Sequence, residues 1–471
     1  MSHAPATRHA EEIRKSTTRK TVRRIVPFVL GAYLVCYLDR VNISFASLKM
    51  NASVGLSDAS YGLGAAVFFV AYFICEVPSN LALTKFGPRV WIARIMVTWG
   101  ILAGCMALVQ GPVSFYVLRF LLGAAEAGFF PAMILYLTYW FPREKRAQVT
   151  AIFFMAVPLS GLIGAPLSTW LMTAGHGLAG LQGWQAMFVI EAVPSVLGGI
   201  AALFYLVDRP AKAHFLTEPE KAWLTGELEA EAAEVTAANR HGRHSIVRTL
   251  VRPAVLCMAL IYLGLEFGEY ALTFFMPQMV DSLNRELGTH LSLIQVGLVT
   301  AIPSLIGVLC MVWWGRRSDR KRERTWHVVV PTVVGAVAIF LAPSFSGFAV
   351  SIVLLSITSA AIYSSIPVFW QLPSKYLVGT AAAVGIAVIN SVGNLSGIIG
   401  PSLTGLLKSS TGSYAAGYVA LGCFLLLAAA GSWLLARVTR VPEGPAGERT
   451  GAASHDAGAP PAGTALRNSR A

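Results

Sequence analysis

Charge is scarce in this sequence. Only 13% of its 471 residues are Asp, Glu, Lys or Arg, against 55% hydrophobic ones, and the mean hydropathy of +0.61 means more apolar surface than a soluble protein of this size can bury. That excludes a soluble domain and points to an integral membrane protein. Acid is scarcer than base, 24 residues against 37, for a formal charge of +13. The basic residues lie in short segments between apolar runs, so no basic domain is left to hold nucleic acid. Cysteine shows no pattern. Cys36, Cys75, Cys105, Cys257, Cys310 and Cys423 each stand alone in an apolar segment without metal-ligand spacing, and read as packing residues. There is no GxxxxGKS or GKT loop, no GxSxG elbow and no histidine cluster, His241 and His244 falling in a polar stretch. ATP-driven and hydrolytic chemistry therefore drop out, and no cofactor or metal is expected. The basic start, with seven Lys or Arg before residue 25, is not followed by a small-residue cleavage site, so the first apolar run reads as a span rather than a removed leader.

What is abundant is hydrophobic runs. A helix needs about 20 apolar residues to cross roughly 30 Å of hydrocarbon. Twelve segments qualify: 25–46, 61–83, 91–110, 114–140, 148–172, 185–207, 254–280, 293–314, 327–345, 348–370, 378–404 and 414–437. The seven early basic residues, Lys85 and Arg89, Arg143 to Arg146, and six between Arg316 and Arg324 all fall on one side, which predicts cytoplasmic termini. The expected organisation is a tail at 1–24, a six-helix bundle at 25–207, a cytoplasmic linker at 208–253, a second bundle at 254–437 and a disordered Gly/Ala/Pro-rich tail at 438–471. The linker reads as an acidic amphipathic helix followed by a basic stretch, either a solvated connector or a docking element.

An internal repeat is visible. PLSGLIGAPLSTWL at 158–171 and NLSGIIGPSLTGLL at 394–407 agree at seven of fourteen positions with an offset of 236. Likewise KFGPRVW after the second span has a counterpart in WGRRSDRKR after the eighth, aligning Gly87 with Gly315. Two parallel six-helix halves are expected of an alternating-access carrier.

Several charges sit inside these spans, where each costs roughly 2.5–3.5 kcal/mol at the bilayer centre, so they line a pathway or pair with one another. Asp39 and Arg40 are one helical step of about 100° apart. They cannot face the same spot, so one faces the cavity and the other a neighbouring helix, unless both simply hold spans together. Arg119 and Glu126, seven apart, share a face at roughly 10 Å. Their alternatives are a protonatable acid with a modulating Arg, or a static ion pair. Glu266 and Glu269 share a face of span seven, as cavity acids or as interfacial ones. Tyr37 could reach a ligand carboxylate, and Asn394 is a weaker cavity candidate. No role follows from the sequence for Glu191, and Glu76 reads as bracing a bend at VPSN. Asp319 and Arg320 in GRRSDRKR, with Arg89 near Gly87, read as gating loops.

The strings YLDRVNISFA, EVPSNLALTKFGPRVW, RFLLGAAEAGFFPAMILYLTYWFP and FWQLPSKYLVGTAAAVGIAVINSVGNLSGIIGP resemble the anion:cation symporter family of the major facilitator superfamily over about 20–440. The resemblance implies an all-α membrane fold of 12 transmembrane helices in two pseudo-symmetric six-helix bundles. It also implies proton-coupled uptake of a small organic anion such as tartrate, phthalate, an aromatic acid or a sugar acid, with Na⁺ the alternative cation. It assigns the substrate carboxylate to Arg40, protons to Asp39 and Glu126 with Arg119 modulating them, and the far wall of the cavity to Trp370 and Asn390. Trp370 has an interfacial-anchor reading beside it. The glutamate-type branch carries an Arg in span seven, and this chain does not. Organic-acid or drug export and a non-transporting sensor are the competing functions. A monomer in a bacterial inner membrane is the expected working form. Span five offers the cavity little beyond Ser160, a slight lean away from heavily hydroxylated acids.

Overall fold

In the computed structural model, which describes residues 4–240, 252–373 and 380–438, every regular element among those residues is helical. The first half contains α1 (Ala4–Val54), α2 (Asp58–Phe86), α3 (Pro88–Cys105), α4 (Pro112–Glu126), α5 (Phe129–Thr138), α6 (Arg143–Phe154), α7 (Ala156–Ala174) and α8 (Gly183–Tyr205). After α9 (Glu218–Arg240), the second half contains α10 (Pro253–Glu286), α11 (Leu293–Lys321), α12 (Thr325–Leu341), α13 (Phe348–Phe369), α14 (Thr380–Asn394), α15 (Ser396–Thr411) and α16 (Ala415–Val438). α4 with α5, α6 with α7 and α14 with α15 are single spans with a break, so the described residues hold twelve helical spans. The repeat falls on α7 and α15, each entered through such a break.

Local chemistry sets these boundaries. Prolines open α3, α4 and α10 in the first turn, where a missing N–H costs nothing. Ser57 and Ser292 cap α2 and α11 by accepting hydrogen bonds from the backbone N–H of Ser60 and Gln295. The break in span four lies at Gly128, whose φ is +86°; a Cβ there would lie 2.4 Å from Ser79 Oγ on α2. Glycine alone allows both the turn and the close approach. As a result Glu126 is the last residue of α4, at the end of a helix segment. The expected bend at VPSN is different: α2 runs through Pro78 as one helix, with Glu76 partly buried on it.

α1 extends past both ends of the expected 25–46, so residues 4–24 are a helical stalk continuous with the first span. α9 docks on this stalk. Ser16 Oγ and Lys20 Nζ donate to Glu220 at 2.6 and 2.8 Å, and Arg146 Nη2 donates to Glu231 at 3.0 Å. Burial works against ionising Glu220, but hydrogen bonds from Lys20, Ser16 and the Thr217 N–H outweigh it and carry its pKa down to about 2. The acidic part of the linker is thus held against the first half. Residues 241–251 of the expected linker and 439–471 of the expected tail lie outside the described residues.

The halves meet at the end away from the termini. Gln278 Nε2 on α10 donates to Ser47 Oγ on α1 at 2.7 Å, and Tyr61 OH on α2 donates to Phe274 O at 2.9 Å. α2 and α15 touch backbone to backbone, for a Cβ on Gly62 would lie 2.3 Å from Pro401 O and one on Gly405 would lie 2.4 Å from Asp58 O. Gly62→Leu is therefore expected to oppose closure of this end. Overpacking costs about 1–3 kcal/mol, enough to shift a two-state equilibrium roughly 5- to 150-fold. Spin labels at Lys49→Cys and Ser409→Cys check it: their separation should lengthen in Gly62→Leu, and an unchanged distance would show that the contact does not set the gate.

Candidate functional site

The step of about 100° between Asp39 and Arg40 sends the two side chains to different helices. Arg40 crosses to α4, where its Nη2 donates to Glu126 Oε1, and Cys36, one turn back on α1, reaches the same oxygen at 3.3 Å. Both partners are buried. The Arg40 guanidinium lies 4.8 Å from the centre of the Tyr37 ring, 5.5 Å from Phe68 and 5.7 Å from Tyr72, an aromatic box that favours a cation. A carboxylate at a helix C-terminus meets the negative end of the helix dipole, so Glu126 needs this cation. Among the described residues Arg40 Nε has no hydrogen-bond partner, which leaves part of its planar fork uncommitted.

Asp39 turns into the first half, away from Arg40. Its Oδ2 accepts from Trp99 Nε1 on α3 at 2.8 Å and from Ser195 Oγ on α8. Nearby, Ser168 Oγ on α7 donates to Glu191 Oε1 at 2.7 Å. Glu191, without a role in the sequence reading, is therefore part of a buried polar group around Asp39.

Arg119 reaches neither acid. Its Nε donates to Gly64 O at 3.2 Å and its guanidinium lies 4.6 Å from the Phe68 ring, so the ion pair with Glu126 that the spacing allowed is not formed. Glu126 was intercepted by Arg40, arriving from another helix. Arg119 and Arg40 share Phe68 as an aromatic neighbour.

Between the halves lies a cavity whose polar lining includes Tyr37, Ser44, Ser160, Glu269, Ser304 and Tyr363. Glu269 lines it and Glu266, also buried, does not. Ser44, Ser304 and Tyr363 were missed from sequence. Ser44 carried a usable signal, standing seven residues, or two turns, beyond Tyr37 on the same face of α1. With hydroxyls from α1, α11 and α13 around it, the lean drawn from span five does not hold for the cavity as a whole.

Arg40, Trp370, Asn390 and Asn394 lie outside that lining. Trp370 is the C-cap of α13 and packs edge-on against Tyr262 with ring centres 4.9 Å apart, its indole N–H without a partner among the described residues. Asn390 is half-buried on α14, and Asn394 is that helix's last residue. The two glycines aligned by the repeat differ in setting. Gly87 breaks the chain at φ +83°, beside Asp208, which accepts from the Arg89 N–H at 3.0 Å; Gly315 lies inside α11 with open space around it. Asp319 pairs with Arg324 at 2.8 Å in its own half, and Arg320 lies in the last turn of α11.

Comparison with known proteins places this geometry. The family model of the Major Facilitator Superfamily matches residues 29–401. A protein of Agrobacterium vitis named for tartrate transport is 48% identical over 419 residues, 89% of this chain and 91% of that one. A quinolone resistance transporter of Acinetobacter baumannii is 40% identical, covering 88% of this chain and 94% of that one. Among solved structures, a bacterial homologue of the human lysosomal transporter Spinster, inward-facing and unoccupied, superposes with a TM-score of 0.71 at 18% identity, covering 89% of this chain and 97% of that one. A D-xylose–proton symporter gives 0.67 at 17% identity over 88% and 97%. At such identities these two show the shared fold.

Proposed function

From its place in the major facilitator superfamily, to which the chain belongs as a multi-pass membrane transporter, we propose that it takes up a small organic acid together with protons by alternating access. The observation that carries this reading is the buried Arg40–Glu126 pair with part of the Arg40 fork uncommitted. A substrate carboxylate and the Glu126 carboxylate compete for one guanidinium. When the substrate wins, Glu126 loses its cation at a helix C-terminus and takes up a proton. Anion and proton thus enter and leave together, which is symport. Asp39 is a further acid for the coupling, and Arg119, through the shared Phe68, biases where the Arg40 guanidinium rests. Tyr37 and the cavity hydroxyls orient the ligand. The basic side of the chain supports cytoplasmic termini in a bacterial inner membrane, which puts the end where the halves meet on the outside.

Tartrate heads the candidates because the Agrobacterium vitis relative is named for it. The relative named for quinolone resistance favours a second reading, export of an organic acid. Both are tested by thermal shift of the purified protein with tartrate, phthalate, hydroxyphenylacetate, glucarate, galactonate and benzoate, then by uptake of the hit into proteoliposomes. Accumulation driven by external acid, and not by external Na⁺, is the expected result. Accumulation driven only by Na⁺, or no ligand for the folded protein, would overturn the proposal.

A further inference from the structure

Three of the buried polar atoms in the first half that lack hydrogen-bond partners among the described residues are Asp39 Oδ1, Asn42 Nδ2 and Glu191 Oε2. Their residues are 3%, 1% and 6% exposed. Such groups require an explanation, since an unpaired polar group in a dry interior costs free energy and an unpaired charge costs more. They belong to one place. Asp39 and Asn42, three apart, lie on one face of α1; Glu191 and Ser195, four apart, lie on one face of α8; and both the Asn42 side chain and the Asp39 charge act on the Glu191 carboxyl. Donors are committed to one side of each acid, Trp99 and Ser195 to Asp39 Oδ2 and Ser168 to Glu191 Oε1. Among the described residues the group contains two acids and no basic side chain, because Arg40 faces Glu126. Asp39 is the titratable group acting on Glu191, and Glu126 on α4 acts in turn on Asp39.

We propose that Glu191 holds a proton on Oε2, bridged by Asn42 to Asp39, and that this forms a second proton site separated from the substrate cavity. One proton, taken from water by the Glu191 carboxylate, satisfies all three orphans. With the Asn42 amide turned so that its oxygen faces Glu191, the new O–H donates to Asn42 Oδ1, the Asn42 Nδ2–H donates to Asp39 Oδ1, and Asp39 stays ionised on its Trp99 and Ser195 donors. The charge of the group falls by one, and the amide links the two acids as a relay. The site extends the proton coupling proposed above and rests on that reading only for its part in transport.

Infrared spectroscopy of the full-length protein in lipid nanodiscs tests it without a substrate, so its outcome is independent of whether the transport reading succeeds. A protonated carboxylic acid has a carbonyl stretch above the amide band. At pH 7 the parent should show a component of one carboxyl group that is lost in Glu191→Gln, kept in Asp39→Asn, and shifted in frequency in Asn42→Leu, which retains the acid should the Gln variant misfold. Loss in Asp39→Asn but not in Glu191→Gln would move the proton to the other acid and overturn the assignment. Spectra identical in parent and Glu191→Gln, or a component that disappears when NaCl replaces choline chloride, would overturn it too, the latter in favour of a Na⁺ site.

Discussion

Arg40→Ala is expected to abolish ligand binding and to unsettle the fold at once, because it leaves Glu126 buried at a helix C-terminus without its cation. Removing one partner of a buried pair typically costs about 3–5 kcal/mol, so loss of binding in this variant alone would be ambiguous. The double variant Arg40→Ala/Glu126→Gln separates the two effects. It removes both charges, so it should recover most of the thermal stability while still failing to bind any acid that stabilises the parent. Arg40→Lys completes the series: the charge is kept and the planar fork is lost. One charge-assisted hydrogen bond is worth about 1.5–3 kcal/mol, so affinity should fall roughly 10- to 150-fold with the fold intact. Thermal unfolding with and without ligand, and uptake into proteoliposomes, report both quantities. Parental uptake in the double variant would remove Arg40 from the binding site.

Much of the scaffold was legible because hydrophobic length acts locally. Twelve runs long enough to cross a bilayer became twelve spans, and the repeat at 158–171 and 394–407 fell on corresponding helices. The side-chain partners were less legible, because each is set by a helix arriving from elsewhere in the chain. The angle between Asp39 and Arg40 is a property of one helix and could be read; that α3 and α8 would supply Trp99 and Ser195 on one side, and α4 would supply Glu126 on the other, is a property of packing. Spacing put Arg119 and Glu126 on one face, but pairing also depended on Arg40 reaching Glu126 from α1. Glu191 looked solitary because Asn42 and Ser168 come from two other helices. Gly87 and Gly315 align in sequence and differ in conformation, one turning the chain against Asp208 and the other continuing a helix.

Glu126→Gln is expected to leave exchange and abolish concentration. The amide resembles the protonated acid in shape and charge, so Arg40 is permanently released towards the cavity, still held beside Tyr37. Anion exchange should therefore persist in the variant. The ligand-induced thermal shift at neutral pH should grow, because ligand now relieves an unpaired buried cation. Accumulation should vanish. A difference of one pH unit supplies about 1.4 kcal/mol per proton, or tenfold accumulation, and a carrier that moves the anion without the proton cannot use it. Counterflow of labelled ligand against unlabelled ligand in proteoliposomes measures exchange, and net uptake into vesicles with an acidic exterior measures coupling. If Glu126→Gln still concentrates its ligand in proportion to the proton gradient, the coupling proton is carried by another acid, and the linkage through Arg40 is refuted.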